Sequence, residues 1–163
     1  MKRTKNASAQ PPNTLPDNLS NIPGLEPISE AQPCGENLEY DMEFAVLQSR
    51  FVVQADVQYG EFNNKREAPD WTELERECRK LLLRSKDINV LIWLLLCRVR
   101  RAGAVGLAEG LALLTACVMS YPEQIHPQHS VEGEIDLAVR SNALMMLVDV
   151  EGVMAAIRDI TIH

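Results

Sequence analysis

Ile88-Asn89-Val90-Leu91-Ile92-Trp93-Leu94-Leu95-Leu96-Cys97-Arg98-Val99 carries apolar side chains at nearly every position. A helix that is apolar all round has no wet face and must be enclosed by other elements. Asp87 precedes the run and can accept the free N–H groups of a first turn. Arg98, Arg100 and Arg101 follow, cations suited to the negative end of a helix dipole. Gly103 is a natural C-terminal stop. The spacing predicts a central helix over about residues 87–103, with the rest of the chain packed around it. The longest uninterrupted apolar stretch, 90–97, is short of the roughly 20 residues a bilayer crossing needs.

Outward from this run, amphipathic segments recur. Asp70 caps a helix whose stripe is Trp71, Leu74, Cys78, Leu81 and Leu82, with Glu73 placed for a capping box. Glu75 and Arg79 form an i,i+4 pair expected on its wet face. Upstream, Asp41 caps a helix to about residue 55, with Phe44, Leu47 and Phe51 on one face. Downstream, a helix over about 105–120 has the stripe Leu107, Leu111, Leu114 and Val118, and Pro122 prevents its continuation. Gly103, Gly106 and Gly110 lack the strand before and the Lys-Ser/Thr after that a phosphate loop needs, and read as a helix stop and close helix contacts. A further helix is expected from Asp136 to about residue 148, with Leu137, Leu144 and Leu147 facing in. Asp149 would cap a last one carrying Val153, Met154 and Ile157, and 160–163 reads as a short strand or frayed end. The fold class expected is all-α: a compact bundle of about six helices around the buried central helix.

Residues 1–24 are rich in Pro, Asn, Ser and Gln and read as a disordered tail or extended arm. The alternative for the arm is a partner-binding peptide around Leu15, Leu19, Ile22 and Leu25. Residues 25–163 form the helical domain, a length that buries a core without a disulfide or metal staple. Residues 56–69 break the pattern with Gly60, Asn63, Asn64 and Pro69, a loop long enough to suggest mobility or function. The net charge of −7 argues against nucleic acid and against an anionic membrane surface. Cys34, Cys78, Cys97 and Cys117 contain no C-x-x-C pair, and three of them fall in apolar helical patterns, a usage that fits a reducing compartment. The basic start at Lys2, Arg3 and Lys5 leads into no apolar region, so no signal peptide is read there, and the expected location is the cytoplasm.

Few groups suggest chemistry. His126 and His129 form H-x-x-H beside Glu132, but on a Pro-containing loop rather than a helix; a metal-dependent enzyme using them is the alternative reading. On the bland reading His126 packs against the preceding helix and His129 is solvated. Cys34, between Pro33 and Gly35, reads as a small turn residue and not a nucleophile. Glu36, Glu39, Asp41 and Glu43 complement a helix dipole or form an acidic surface for a basic partner or a basic segment of the same protein. Arg140 and Asn142, polar within an apolar helix, are expected to tie down the 121–134 loop or the 33–41 turn. No nucleophile–base pair is visible, and no enzyme activity, metal or cofactor is expected.

The run Pro33-Cys34-Gly35-Glu36-Asn37-Leu38, then Tyr40-Asp41 and Glu43-Phe44, resembles the opening signature of the ImpA N-terminal domain family. That family is found in the TssA-type proteins of the bacterial type VI secretion system. Asp70-Trp71, Ser85-Lys86-Asp87 with Trp93-Leu94, Gly106-Leu107 with Gly110-Leu111, His126-Pro127 and Arg140-Ser141-Asn142-Ala143-Leu144 continue the likeness in order. One departure is Pro122 after Tyr121, where family members often carry Trp, which bears on the shape of the next loop. The resemblance implies a noncatalytic docking domain of a cytoplasmic assembly component, with baseplate, sheath or tube proteins as partners. It also implies a fragment of a longer protein, self-associating through a C-terminal region this chain lacks. A relative that halts sheath extension shares the domain and is a further alternative. The residues marked as signature or contact candidates are Glu36, Asn37, Tyr40, Asp41, Glu43, Trp71, His126, Arg140 and Asn142.

Overall fold

The computed structural model describes residues 15–56 and 68–161. They form α1 (Met42–Asp56), α2 (Trp71–Leu82), α3 (Ile88–Ser120), α4 (Leu137–Met145) and α5 (Val153–Arg158), with 3-10 turns at Asp17–Leu19 and Met146–Val148. Strands β1 (Ser130–Val131) and β2 (Glu134–Ile135) pair antiparallel, Ser130 opposite Ile135. This hairpin stands where only a loop was expected. Its two-residue turn, Glu132-Gly133, takes positive φ at both positions (52° and 85°), the geometry that suits a tight hairpin.

The two helices expected on either side of Gly103 are the arms of one broken element, α3. Gly103 sits at φ 57°, ψ −132°, a conformation that costs glycine little and other residues much. The second arm folds back along the first. A Cβ on Gly106 would lie 2.0 Å from the Arg98 carbonyl oxygen, and one on Gly110 would lie 2.7 Å from Leu95. Only hydrogen at these positions lets the arms approach so closely, and an Arg98–Glu109 ion pair joins them. By length and composition α3 could cross a membrane. The break at Gly103 instead gives two arms packed on one another.

The first arm of α3 is buried on both sides, as its sequence requires. On one side Val90, Trp93, Leu94 and Cys97 meet Leu38, Phe44 and Leu47 with Leu74, Cys78 and Leu81 of α2. Trp93 lies 5.2 Å from Phe44 and stacks on Phe51 at 5.3 Å. On the other side Leu91, Ile92, Leu95 and Val99 meet Leu114, Cys117, Ile125, Ala143, Val153 and Ala156. Truncating one of these, such as Leu95→Ala, costs about 2–5 kcal/mol.

Several details differ from expectation. Glu73 does not close a capping box. Asp70 accepts from the Thr72 and Glu73 amides, but the Glu73 carboxylate turns to Arg50. The inward face of the second α3 arm is Gly106, Gly110, Leu114 and Cys117, and Leu111 is exposed, because the glycines must face the first arm. Leu137 and Met154 are exposed as well; Ala143 is the buried residue of α4, and Val153 and Ala156 are those of α5. The capping residue of α5 is Gly152, not Asp149. Of the expected tail, Leu15, Leu19 and Ile22 pack against the core, and Leu25, at the start of the expected domain, is buried within it. Residues 1–14, most of the 56–69 loop and 162–163 lie outside the described residues.

Candidate functional site

The signature turn is built around Gly35, at φ 70°, where a Cβ would lie 2.0 Å from the Arg84 carbonyl oxygen. That approach lets residues 34–36 run beside the 84–87 linker. The Lys86 amide donates to the Cys34 carbonyl at 2.7 Å, and the Ser85 hydroxyl to the Glu36 carbonyl at 2.6 Å. His126 flanks the linker on its other side. Its amide donates to Lys86 O (3.0 Å), its carbonyl accepts from Ile88 N (2.8 Å), and its ring Nε2 meets Gly35 O at 3.0 Å. Lys86 is buried, and its ammonium donates to Gly24 O at 2.6 Å. Arg140 reaches from α4 to the carbonyls of Pro122, Ile125 and Pro127, holding the loop that carries His126. Motifs scattered along the chain thus meet at one buried polar junction, whose groups are satisfied largely by backbone partners.

The acidic cluster surrounds a cation the sequence reading missed. Arg84 donates to Glu36 (2.8 Å), Asp41 (2.5 Å) and Glu43 (2.8 Å), and Lys80 pairs with Glu43 at 2.5 Å. The Arg84 hydrogen bond, with the Phe44 amide on the other oxygen, holds the Asp41 carboxyl below its ordinary value. Three of the four expected surface acids are therefore matched from within, which corrects the picture of a free acidic face. Asn37 uses its side-chain oxygen on the Glu39 amide. Beside the exposed Glu36, Asn37, Glu39 and Glu43, this frame presents large apolar side chains to solvent: Tyr40 (93% exposed) and Met42 (81%) flank Asp41, and Leu83 (78%) precedes Arg84. The signal that could have revealed Arg84 is the match between one cation just past α2 and a carboxylate cluster lacking cations of its own.

The remaining candidates separate. Trp71 is half-buried with the Arg100 guanidinium 5.8 Å from its ring centroid. Asn142 is exposed and does not tie down the loop, because Arg140 does so alone. His129 is not solvated: its ring is mostly covered and Nε2 lies 3.0 Å from Glu123. The Nδ1 atoms of His126 and His129 are buried without a protein partner. Glu132 is exposed at the hairpin turn, and no three His, Cys, Asp or Glu side chains among the described residues converge on a metal position. Burial pushes the Cys34 thiol up to about 12 and that of Cys117 to about 11, so neither supplies a thiolate at neutral pH. Glu75, expected on the wet face of α2, is buried. It holds Arg79 at 2.7 Å and Arg101, with Arg98 at 3.9 Å.

The site is thus a structural junction whose outer rim exposes Tyr40, Met42 and Leu83 among acidic side chains, on a helical domain with no assembled reactive group among the described residues. Comparison places the chain more narrowly. Residues 25–149 match the family described as ImpA, N-terminal, type VI secretion system. The chain belongs to that family. It is 34% identical over 124 residues to the type VI secretion system component TssA1 of Pseudomonas aeruginosa, an alignment covering 76% of this chain and 36% of the relative. It also superposes on the N-terminal domain of the TssA component from Burkholderia cenocepacia, which includes the conserved ImpA_N region. That match has a TM-score of 0.59 and 26% identity, and covers 86% of this chain and 50% of the other. The chain spans about a third of the length of the curated relative it matches.

Proposed function

We propose that residues 25–163 act as a noncatalytic docking domain of a type VI secretion assembly component in the bacterial cytoplasm, as one part of a longer protein. Its partners are baseplate, sheath or tube proteins of the machine. The observation that carries this reading is the exposure of Tyr40 and Met42 on a turn locked from two sides. A solvent-facing aromatic and a methionine held on a rigid frame form an anchor for another protein surface, and such anchors carry most of an interface's binding energy. The family membership supports the setting. A purified chain titrated against isolated baseplate, sheath and tube proteins tests the reading. Saturable binding to one of them, weakened about tenfold or more by Tyr40→Ala with Met42→Ala, is the expected result. A folded chain that binds none would refute it.

A further inference from the structure

A groove of about 400 Å³ opens between α1, the start of α2, the first arm of α3 and the start of α5, and none of the signature residues 33–44 lines it. Its floor is Phe51, Trp71, Trp93, Leu96, Met146 and Val153. The rings are fixed, Phe51 stacked on Trp93 and Trp71 under Arg100. Arg100 is itself matched by Asp159 at 2.6 Å. The rim is acidic. Asp149 and Glu151 stand at the α5 end, and among the described residues neither pairs with a Lys or Arg. The nearby Arg158 is turned to the Val150 and Met154 carbonyls. Val52, 55% exposed, forms the lip on α1.

An aromatic floor of this size accepts one or two large apolar side chains of a ligand. Two carboxylates without a cationic partner among the described residues, that of Asp149 accepting only from the Glu151 amide, select a cationic flank on a chain of net charge −7. We propose that this groove is a second docking site, and that its occupant is an amphipathic helix of a partner protein. The apolar side chains of that helix fill the floor, and its lysines or arginines face Asp149 and Glu151. The inference rests on the docking reading above and adds a place and a chemistry to it.

Two synthetic helical peptides of about 18 residues test it, with identical Leu and Phe at i, i+4 and i+7 and either Lys or Glu flanks. Each is titrated into the 163-residue chain, following the fluorescence of Trp71 and Trp93, its two tryptophans. The Lys peptide is expected to saturate at least about tenfold tighter than the Glu peptide, with a preference that shrinks as salt rises. Glu151→Lys, which sets one cation against Asp149, should abolish most of the preference. Val52→Arg, at an exposed position, should weaken the Lys peptide about tenfold without changing the circular dichroism. Equal affinities, no saturation, or indifference to both substitutions would overturn the proposal. So would self-association abolished by Val52→Arg, which makes a second copy the occupant, or binding that emerges only after Tyr59→Ser and Phe62→Ser, which makes it the chain's own 57–67 segment. Peptides that fail to saturate, beside secretion-machine binding that depends on Tyr40 and Met42, sink the groove and leave the docking reading standing. Failure of the unaltered chain to bind any such protein sinks the docking reading, while the peptides still report on the groove.

Discussion

Glu75 lies on α2 with its carboxylate among Arg79, Arg98 and Arg101. Burial raises the carboxyl's pKa, but the hydrogen bonds from Arg79 and Arg101 outweigh it, and the net position is below the ordinary 4.5. A depressed carboxyl contributes stability that is present above its unfolded value and lost as pH falls through its native one. Glu75→Gln should therefore destabilise the protein by about 2 kcal/mol at pH 7, a figure reduced for the partial exposure of the arginines. It should also flatten the decline in stability below pH ~4.5; urea unfolding at pH 7 and pH 4 reads both effects. This residue also marks where the sequence stops being legible. An i,i+4 Glu–Arg pair looks the same on a wet face or a dry one, and what decides is Arg101, 26 positions further on. Tyr40 is the opposite case: it was singled out by the signature, but only the geometry shows it exposed, because its neighbours Asp41 and Glu43 are drawn back to Arg84.

At the scale of elements, apolar runs were readable and their facing was less so. The first arm of α3 is apolar at nearly every position, so its burial follows whatever surrounds it. The second arm has two plausible stripes, and the choice between Leu111 and Gly110 is made by the Gly103 break that folds it onto Leu95. Gly106→Ala tests that close approach. Alanine favours a helix by about 1 kcal/mol, yet here its methyl would meet the Arg98 carbonyl, so a net loss of about 2–3 kcal/mol is expected in chemical unfolding. The loop after α3 offers a second check. Arg140→Ala strands three carbonyls, and should cost about 2 kcal/mol. Hydrogen exchange should show protection lost first at the Ile125 and His126 amides, which bond to Tyr121 and Lys86 within the segment Arg140 holds.

At the scale of the whole molecule, α2, α4 and α5 pack around α3, and the sequence motifs gather at one polar junction rather than around a reaction centre. The four thiols belong to that core and all are free and buried. A thiol reagent should therefore label none of them in the native state at neutral pH and all four after unfolding; rapid native labelling of Cys34 would mean that the signature turn opens. Class was legible from patterning and motif order, because both survive without knowledge of contacts. The groove over Trp71 and Trp93 was not, because its walls come from three elements and its acidic rim from the start of a fourth. The central claim is that the exterior of this frame, through Tyr40 and Met42, binds another component of the secretion machine. Its most direct test is the affinity of the purified chain for each baseplate, sheath and tube protein, measured beside the Tyr40→Ala/Met42→Ala variant at equal folded fraction. Saturable binding to one component, lost or weakened at least about tenfold in the variant, is the predicted result; binding to none of them, or binding the variant retains in full, would contradict it.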